Sequence, residues 1–371
     1  MERAFEHLFR TVGNILGTLR AEYRQISNRY FGKIERFDGD ARAICRQVVN
    51  RLWEGDFYRT SLGHFDFFWM RDFGTACHPL VNAGHADKVH STLRWALLKY
   101  RRAGTVSTCI DQSGNCFEAP SRAIDSLPWL LHSIVVSRYE LNDSERVFLE
   151  RMLRRYVRRY LDKRTGELKP RKFAEMRDAV VYDRSAYAVT LVARMARCVE
   201  HLGLGGFPFR VEQYRAELVE TYWNGKYFDA DRQTDAFSAE CALMPFFMGI
   251  VDDKNMADKT LDYIHDHKLN KPYPMLYTDQ PQAFHYHWWM KKPFMPGYEG
   301  KTIWSWHGVF YLHLLRRYDR PEYKHQYESF SRMIERHGTW PEMLAEDGSW
   351  YYAPVYSGDP GMVWAALFLE L

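Results

Sequence analysis

The chain has 371 residues and a formal net charge of +4; 46% of its residues are apolar and 26% are charged. This composition excludes an intrinsically disordered chain, and a charge that is small for the length disfavours a nucleic-acid partner. Aromatic residues make up 16% of the sequence, which exceeds what core packing usually needs. The surplus indicates a cleft lined by aromatic side chains, a type of wall that suits sugars.

The cysteines show neither a CxxC pair nor the Cys/His spacing of a zinc site, so no metal is expected. Reduced thiols are typical of a cytoplasmic protein, although Cys109 and Cys116 could close a loop in an exported one. The N-terminal stretch MERAFEHLFRTVGNILGTLRAEYRQ is amphipathic and lacks the apolar core of a signal peptide. No apolar run is long enough to span a membrane. We therefore expect a cytoplasmic protein with no membrane partner and no cofactor.

Apolar residues recur with the helical period along nearly the whole chain, and strand-like alternation is almost absent. The pattern predicts an N-terminal helix over about residues 3–30. Twelve further helices are predicted over residues 38–53, 71–84, 85–103, 121–140, 144–162, 184–203, 208–224, 239–250, 253–267, 304–318, 320–338 and 360–371.

These helices alternate in character along the chain. Segments such as WLLHSIVVSRY and AYAVTLVARMA are apolar nearly all round, whereas SERVFLERMLRRYVRRYLD and RVEQYRAELVETYW carry one charged face. Placing the first kind inside and the second kind outside gives six inner and six outer helices. The predicted fold is all-α, an (α/α)6 toroid that forms a single domain over residues 1–371. Residues 1–31 are expected to be an accessory helix packed outside the ring.

Every long connection precedes an inner helix, so these segments should gather on one face of the toroid. Loops held by a rigid scaffold are the usual place for binding and chemistry. The face should therefore carry a pit that is bordered by Trp, Tyr, His and acidic residues. The connections are residues 54–70, 104–120, 163–183, 225–238, 268–303 and 339–359.

Three of these connections carry acidic residues in unusual settings. In FDFFWMRDFG, Arg71 and Asp72 directly follow an aromatic run that ends near Trp69. In SRAIDSLPWLL, Asp125 lies at the mouth of an inner helix, where an N-cap is the simplest interpretation. In RHGTWPEMLAEDGSWYY, Glu342 follows a Trp-Pro pair, which is not a typical setting for a solvated turn residue.

Three segments resemble known enzymes. FFWMRDFGTACHPLVNAG resembles the Trp/Arg-Asp-Phe segment of the six-hairpin glycosidases, AIDSLPWLLHSIVVSRYE is similar to the VDSxxWW helix of neutral/alkaline invertases, and TWPEMLAEDGSWY resembles their WPEYYDG loop. They occur in the expected order over residues 65–351. Glycogen-debranching-type glucosidases and trehalases are more distant relatives by the same motifs.

The resemblance implies an inverting glycoside hydrolase that acts on an α-linked, glucose-containing di- or oligosaccharide. By matching motifs, Asp125 takes the position of the general acid and Glu342 that of the general base. Their carboxyl groups should then face each other about 6.5–9.5 Å apart, with room for a water molecule. Asp178 and Asp183 are competing candidates for the acid, because related enzymes also present acids at inner-helix mouths.

The remaining site residues should bind the sugar. Asp72 is expected to accept hydrogen bonds from sugar hydroxyl groups, and Arg71 to hold Asp72 in place. The tryptophans should line the same pocket as this pair. The full set of expected substrate-binding residues is Trp69, Arg71, Asp72, Trp129, Asp183, Trp306, His307 and Trp340.

Other interpretations stay open at this stage. A sucrose-specific invertase is one, although DRSAYA stands where those enzymes carry HPLEIQ. A sugar epimerase that uses His307 and His285, and a non-catalytic carbohydrate-binding toroid, are two more. The His-rich segment FHYHWWMKKPFMPGY is more typical of a lid or subsite wall than of a metal site. A small-molecule sugar is the expected partner, and a homo-oligomer is possible.

Overall fold

The computed structural model describes residues 2–119, 121–170, 173–287 and 294–371, with side chains from residue 17 onward. Within these ranges the regular secondary structure is almost entirely helical. The α-helices are α1 (Glu2–Phe31), α2 (Ala41–Arg51), α3 (Met70–Leu80), α4 (Ala86–Ala103), α5 (Ser126–Ser137), α6 (Asp143–Tyr160), α7 (Ala186–Leu202), α8 (Val211–Glu217), α9 (Ala239–Phe247), α10 (Lys254–Asp266), α11 (Ser305–Arg317), α12 (Tyr323–His337) and α13 (Ala365–Leu369).

The inner helices form a closed ring. α3, α5, α7, α9, α11 and α13 each contact the next, and α13 also contacts α3. α2 packs against α12 and α13, so the first and last barrel helices form the sixth hairpin. The inner helices are buried on nearly all sides, whereas an outer helix such as α4 buries one stripe at helical spacing. The predicted (α/α)6 toroid is confirmed.

The ends of two helices are set by backbone hydrogen bonds to other segments, and they differ from the ends that the apolar periodicity predicts. α5 begins at Ser126 and not near residue 121, because the backbone N–H of Ile124 donates to the carbonyl of Ala174 in a bridge between two connections. α13 is shorter than predicted, since the N–H of Val363 donates to the carbonyl of Thr60. Both segments therefore use their backbone groups to hold the loop face together.

Short strands fix where two inner helices begin. β1 (Phe68–Trp69), β2 (Cys109–Ile110) and β3 (Cys116–Phe117) form one antiparallel sheet. β4 (Ile303–Trp304) pairs antiparallel with β5 (Met343–Leu344). β1 runs directly into α3 and β4 into α11, while β5 follows Glu342 without a break.

α1 lies on the loop face and not outside the ring, where the sequence analysis expected it. The N-terminal helix contacts three connections: Arg24 forms an ion pair with Asp66, and Arg29 Nε donates to the carbonyl of Ala353 at 2.8 Å. Gly17 packs directly on the ring of Phe117, where a Cβ would come within 2.6 Å of the ring. The face of α1 that meets the loops is therefore a packing surface.

Two expectations about the chain as a whole can be compared with the structure. Within the described ranges, each helix is too short or too polar to cross a membrane. All six cysteines are free, including Cys109 and Cys116.

Candidate active site

A cavity of about 360 Å³ opens on the loop face. Its size falls in the range of roughly 300–1,000 Å³ that is usual for small-molecule sites. Five of the six long connections contribute to its wall, and α1 contributes one face. The remaining connection, residues 225–238, does not reach the cavity. The carboxyl-bearing residues of the wall are Glu22, Asp72, Asp178, Glu299 and Glu342.

Asp178 reaches the cavity from a loop that is held from behind. The neighbouring Arg177 is fully buried and donates to the carbonyl of Glu299 and to the hydroxyl of Tyr286. The Glu299 carboxylate accepts the backbone N–H groups of Asp178 and Ala179 at 3.0 and 2.7 Å. The Asp178 side chain keeps 19% of its surface exposed, while the loop around it is fixed.

Arg71 lies between two carboxylates at the start of α3. Its Nε donates to Asp125 Oδ2 at 2.6 Å, and its Nη1 lies 3.7 Å from Asp178 Oδ2. Burial alone would lower the pKa of Arg71, but the charges of Asp125 and Asp178 raise it well above its usual value. The guanidinium therefore stays charged and holds both acids on one side of the cavity.

Asp125 is sealed behind the cavity wall. Its side chain has no exposed surface, and its Oδ2 accepts hydrogen bonds from Arg71 and, at 2.8 Å, from the hydroxyl of Tyr187. Trp129 Nε1 donates to the same Tyr187 hydroxyl at 3.2 Å. Asp125 and Trp129 of the AIDSLPW motif are thus part of a buried network between α3, α5 and α7. The side chain of Asp125 makes no N-cap hydrogen bond and does not line the cavity.

Glu342 lines the cavity as expected and is held by the strand pairing of its own loop. The hydroxyl of Tyr356 lies 2.8 and 2.9 Å from its two carboxyl oxygens, and the backbone N–H of Asp359 donates to Oε2 at 2.9 Å. Burial, with the charges of Asp359 and Asp72, raises the pKa of Glu342 well above its usual range. The carboxyl group is therefore fixed in orientation and basic when ionised.

The pKa values of two further acids also rise at the cavity. Burial raises the pKa of Asp72 to about 7 against the opposing charge of Arg71. Burial likewise raises the pKa of Asp178 to about 7, with Arg71 opposing and Asp125 reinforcing the rise. Carboxyl groups that are partly protonated at neutral pH are typical of sites that exchange protons with a substrate.

Two of the four expected tryptophans line the cavity. Trp69 and Trp306 lie in its wall, and Trp306 stacks on Trp364 with ring centroids 4.2 Å apart. Trp129 and Trp340 are fully buried in the core. Trp340 Nε1 donates to Ser305 Oγ at 2.8 Å, at the start of α11. The ring therefore points into the core, although Trp340 belongs to a connection on the loop face.

Asp183 and His307 are placed away from the cavity. Asp183 forms an ion pair with Arg184 and accepts a hydrogen bond from Gln233 Nε2 at 3.1 Å. Gln233 belongs to the connection 225–238, which does not reach the cavity. His307 has no exposed surface and packs edge-on against Tyr277. Burial lowers the pKa of His307 well below its usual value, so it is a neutral core residue.

Several wall residues were missing from the sequence analysis. They are mainly aromatic and come from the last two connections, from β4 and from the residue before α13: Tyr298, Trp304, Tyr356 and Trp364. The aromatic segment that ends at Tyr298 is interpreted from the sequence as a lid or subsite wall. Glu299 directly follows that segment, and this position was the sequence signal that could have indicated it. Residues 288–293 of that segment lie outside the described residues.

Unsatisfied polar groups belong to the cavity wall. Trp69 Nε1, Trp306 Nε1, Arg71 Nη2 and Asp178 Oδ1 are buried and make no hydrogen bond to the described residues. Buried polar groups are almost always paired, so a group of unpaired donors and acceptors beside aromatic rings favours a polyhydroxylated ligand. Within the described ranges, His, Cys, Asp and Glu side chains form no cluster that could hold a metal ion.

Comparisons with known proteins agree with the fold. The sequence matches neither a family model nor a curated protein. The structure is similar to a glycosidase variant in complex with glucose, with a TM-score of 0.65 and 12% identity over 89% of this chain and 95% of that chain. It is similar to a bacterial glucoamylase complexed with acarbose, with a TM-score of 0.60 and 13% identity over 88% of this chain and 54% of that chain.

A third similar structure is a GH63 mannosylglycerate hydrolase from Thermus thermophilus in complex with Tris. The TM-score is 0.56 and the identity 12%, over 89% of this chain and 98% of that chain. At identities this low, the similarity shows the fold alone. The chain has the (α/α)6 fold of the six-hairpin glycosidases.

Proposed function

We propose that the protein is an inverting glycoside hydrolase that cleaves an α-linked, glucose-containing di- or oligosaccharide, with Asp178 as general acid and Glu342 as general base. The observation that carries the proposal is a pair of carboxyl groups, both with raised pKa, in the wall of one aromatic-lined cavity. The similar structures include a glycosidase with bound glucose and a glucoamylase with bound acarbose. A sugar in this cavity is consistent with both.

Asp178 would supply the proton for the leaving group. Its pKa of about 7 keeps much of it protonated near neutrality, as a general acid requires. The proton moves to the glycosidic oxygen as the bond from that oxygen to the anomeric carbon breaks. The positive charge that develops on the sugar ring lies among the carboxylates of the cavity, which stabilise it.

Glu342 would activate the attacking water. The ionised carboxylate accepts a proton from a water molecule as the water oxygen bonds to the anomeric carbon from the opposite face. The products are the free leaving-group sugar and a hemiacetal of inverted configuration, with Asp178 ionised and Glu342 protonated. Transfer of one proton from Glu342 to Asp178 through solvent restores the starting state. The hydroxyl of Tyr356 and the backbone N–H of Asp359 fix the orientation of the Glu342 carboxylate.

The general acid is thereby moved from Asp125, the residue that the motif indicates, to Asp178. Asp125 has no exposed surface, and its Oδ2 already binds Arg71 and Tyr187. Asp178 carries 19% exposed surface; its Oδ1, like that of Asp125, has no hydrogen-bond partner among the described residues. A proton donor must reach the glycosidic oxygen, so exposure to the cavity supports Asp178 over Asp125 in this proposal.

The two other acids of the inner wall have different assignments. Glu299 uses its carboxylate to accept the backbone N–H groups of Asp178 and Ala179, so we assign it to holding that loop. Asp72 lies close enough to Glu342 for its charge to add to the burial that raises the Glu342 pKa. The charge of Asp178 also contributes to the raised pKa of Asp72, so Asp72 lies near both proposed catalytic acids. We assign it to binding sugar hydroxyl groups, as the motif implies.

The anomeric form of the product tests the reaction directly. Hydrolysis of maltose, kojibiose, isomaltose, trehalose and sucrose would be followed by proton NMR, before mutarotation mixes the anomers. The proposal predicts that the glucose released from the α-linked glucosyl position appears first as the β-anomer. Appearance of α-glucose first would mean retention, and hydrolysis of none of these sugars would contradict the substrate class. Preferential hydrolysis of sucrose would identify the invertase alternative.

A further inference from the structure

One face of α1 lies along the mouth of the cavity. Its wall residues there recur at helical spacing: Thr18, Ala21, Glu22 and Gln25. We propose that this face of α1 is the binding site for the leaving-group sugar, and that it restricts the enzyme to short glycosides. The inference rests on the proposed function, because it assigns the part of the substrate that departs with the proton from Asp178.

Both ends of this face are attached to the loops that border the cavity. Thr18 Oγ1 donates to the carbonyl of Glu118 at 3.2 Å, at the connection that precedes α5. Twelve residues further along, the hydroxyl of Tyr30 donates to the carbonyl of Pro354 at 2.8 Å, at the connection that precedes α13. A helix rises 1.5 Å per residue, so the two attachments are about 18 Å apart. The helix thus joins two of the connections that border the mouth.

Further contacts hold α1 between these ends. Arg24 pairs with Asp66, and its guanidinium lies over the ring of Phe67, 4.9 Å from the centroid. Asn28 Nδ2 donates to Asp359 Oδ1 at 3.4 Å, the residue whose N–H holds Glu342. α1 is therefore connected to the loop that positions Glu342, and its place over the cavity is fixed by several independent contacts.

Glu22 and Gln25 supply the polar groups that a sugar needs. Neither side chain has a hydrogen-bond or ion-pair partner among the described residues, although both belong to the cavity wall. Partial burial raises the pKa of Glu22, as expected for a carboxyl that faces a confined space. A carboxylate and an amide three residues apart provide acceptors and donors for adjacent hydroxyl groups, and Ile26 provides an apolar surface beside them.

The position of α1 also limits the length of the substrate. A glycosyl unit bound between Asp178 and Glu342 leaves its aglycone pointing toward the mouth, where α1 spans the opening. A second sugar can contact Glu22 and Gln25, but a polymer that continued outward would meet the helix. The structure therefore favours disaccharide-sized glycosides over polysaccharides.

The test compares a substrate that has a leaving-group sugar with one that has none. The specificity constant of each variant would be measured with the disaccharide that the wild type hydrolyses fastest and with α-glucosyl fluoride. We expect Gln25→Ala and Glu22→Gln to lower the ratio of disaccharide to fluoride by about 3- to 10-fold each, mainly through KM, as for a lost hydrogen bond. Tyr23→Ala is the matched control, because Tyr23 is 72% exposed and lies outside the wall.

Each outcome decides the matter. An unchanged ratio in both variants would overturn the assignment, as would an equal fall in Tyr23→Ala, which would make α1 a structural support only. Hydrolysis of a soluble α-glucan at a rate comparable to that of the disaccharide would refute the length limit. Turnover by the wild type tests the proposed function separately, and its absence on every substrate would remove this inference with it.

Discussion

The two sides of Arg71 differ in exposure, and the difference separates structural from chemical roles. On the buried side, Asp125 binds Arg71 and Tyr187 with one oxygen and has no exposed surface. On the cavity side, Asp178 lies 3.7 Å from the same guanidinium, with part of its surface exposed and Oδ1 unpaired. A carboxylate that is held by Arg71 and Tyr187 and has no exposed surface stabilises the structure. A carboxylate that is desolvated but still accessible can exchange protons.

The comparison changes the meaning of the motif. In AIDSLPW, the acid and the tryptophan are both part of the buried network, through Tyr187. The network fixes Arg71, and Arg71 in turn opposes the rise in the pKa of Asp178 that burial causes. The motif therefore acts on the chemistry through a positioning residue.

The largest expected effect is on the cavity side. We expect Glu342→Gln to lower kcat by about 10³-fold on both a disaccharide and α-glucosyl fluoride, because water must be activated for either leaving group. Stability should be retained, since a buried carboxyl group with a raised pKa is replaced by a neutral side chain. Steady-state kinetics and urea denaturation would measure the two quantities. A kcat within about tenfold of wild type would remove Glu342 from the base position.

The second effect concerns Arg71, which contacts both the buried Asp125 and the exposed Asp178. Arg71→Met leaves Asp125 buried without its cation, so we expect the free energy of unfolding to fall by about 3–5 kcal/mol. The matched control is Arg20→Met, because the Arg20 side chain is 66% exposed in its pair with Asp111. Its loss should change stability by no more than about 1 kcal/mol. Equal effects of the two variants in urea denaturation would show that Arg71 does not hold a buried network.

The third effect is the pH dependence of activity. A general acid must be protonated, so kcat/KM should fall as the pH rises through the pKa of Asp178, about 7. On the acid side of the profile, activity should be lost at a pH above the usual range of carboxyl pKa values, because Glu342 must be ionised and burial raises its pKa. The predicted profile is a bell whose alkaline limb falls near pH 7. A plateau that extends beyond about pH 9 would rule out a carboxyl group as the acid.

The smallest expected effect is on the buried side alone. Tyr187→Phe removes one hydrogen bond to Asp125 and leaves Trp129 Nε1 without an acceptor, so stability should fall by about 1–3 kcal/mol. Activity on the fluoride and on the disaccharide should change by the same factor. A selective loss on the disaccharide would indicate that this side contributes to proton donation.

The fold was predictable because helical periodicity extends over whole helices. Apolar segments such as AYAVTLVARMA became α7, and charged-face segments became the outer helices, with closure by α2 and α13 following from the count of hairpins. The position of α1 was not predictable, because an amphipathic helix shows that one face is buried but not against what. The contacts with Phe117 and Asp66 that place it are long-range.

The site was predictable by region more than by residue. Arg71, Asp72, Trp69, Trp306 and Glu342 do meet at one cavity, as their place before or at the start of inner helices indicated. Trp129 lies in the first turn of α5 and Trp340 in the last connection, but both rings are buried in the core, because the direction of a side chain depends on its neighbours. The sequence offers Asp178 only as a competing candidate, because nothing in EMRDAVV indicates that Arg177 and Glu299 hold its loop against the cavity.

The most direct test of the account is a paired measurement on Asp178→Asn and Asp125→Asn, with a disaccharide and with α-glucosyl fluoride, whose leaving group hardly needs a proton. We predict that Asp178→Asn loses about 10²–10⁴-fold in kcat on the disaccharide and far less on the fluoride. Asp125→Asn should lower both rates by one common factor, because it acts through the position of Arg71. A selective loss on the disaccharide in Asp125→Asn, with Asp178→Asn near wild type, would contradict the account and return the role of general acid to Asp125.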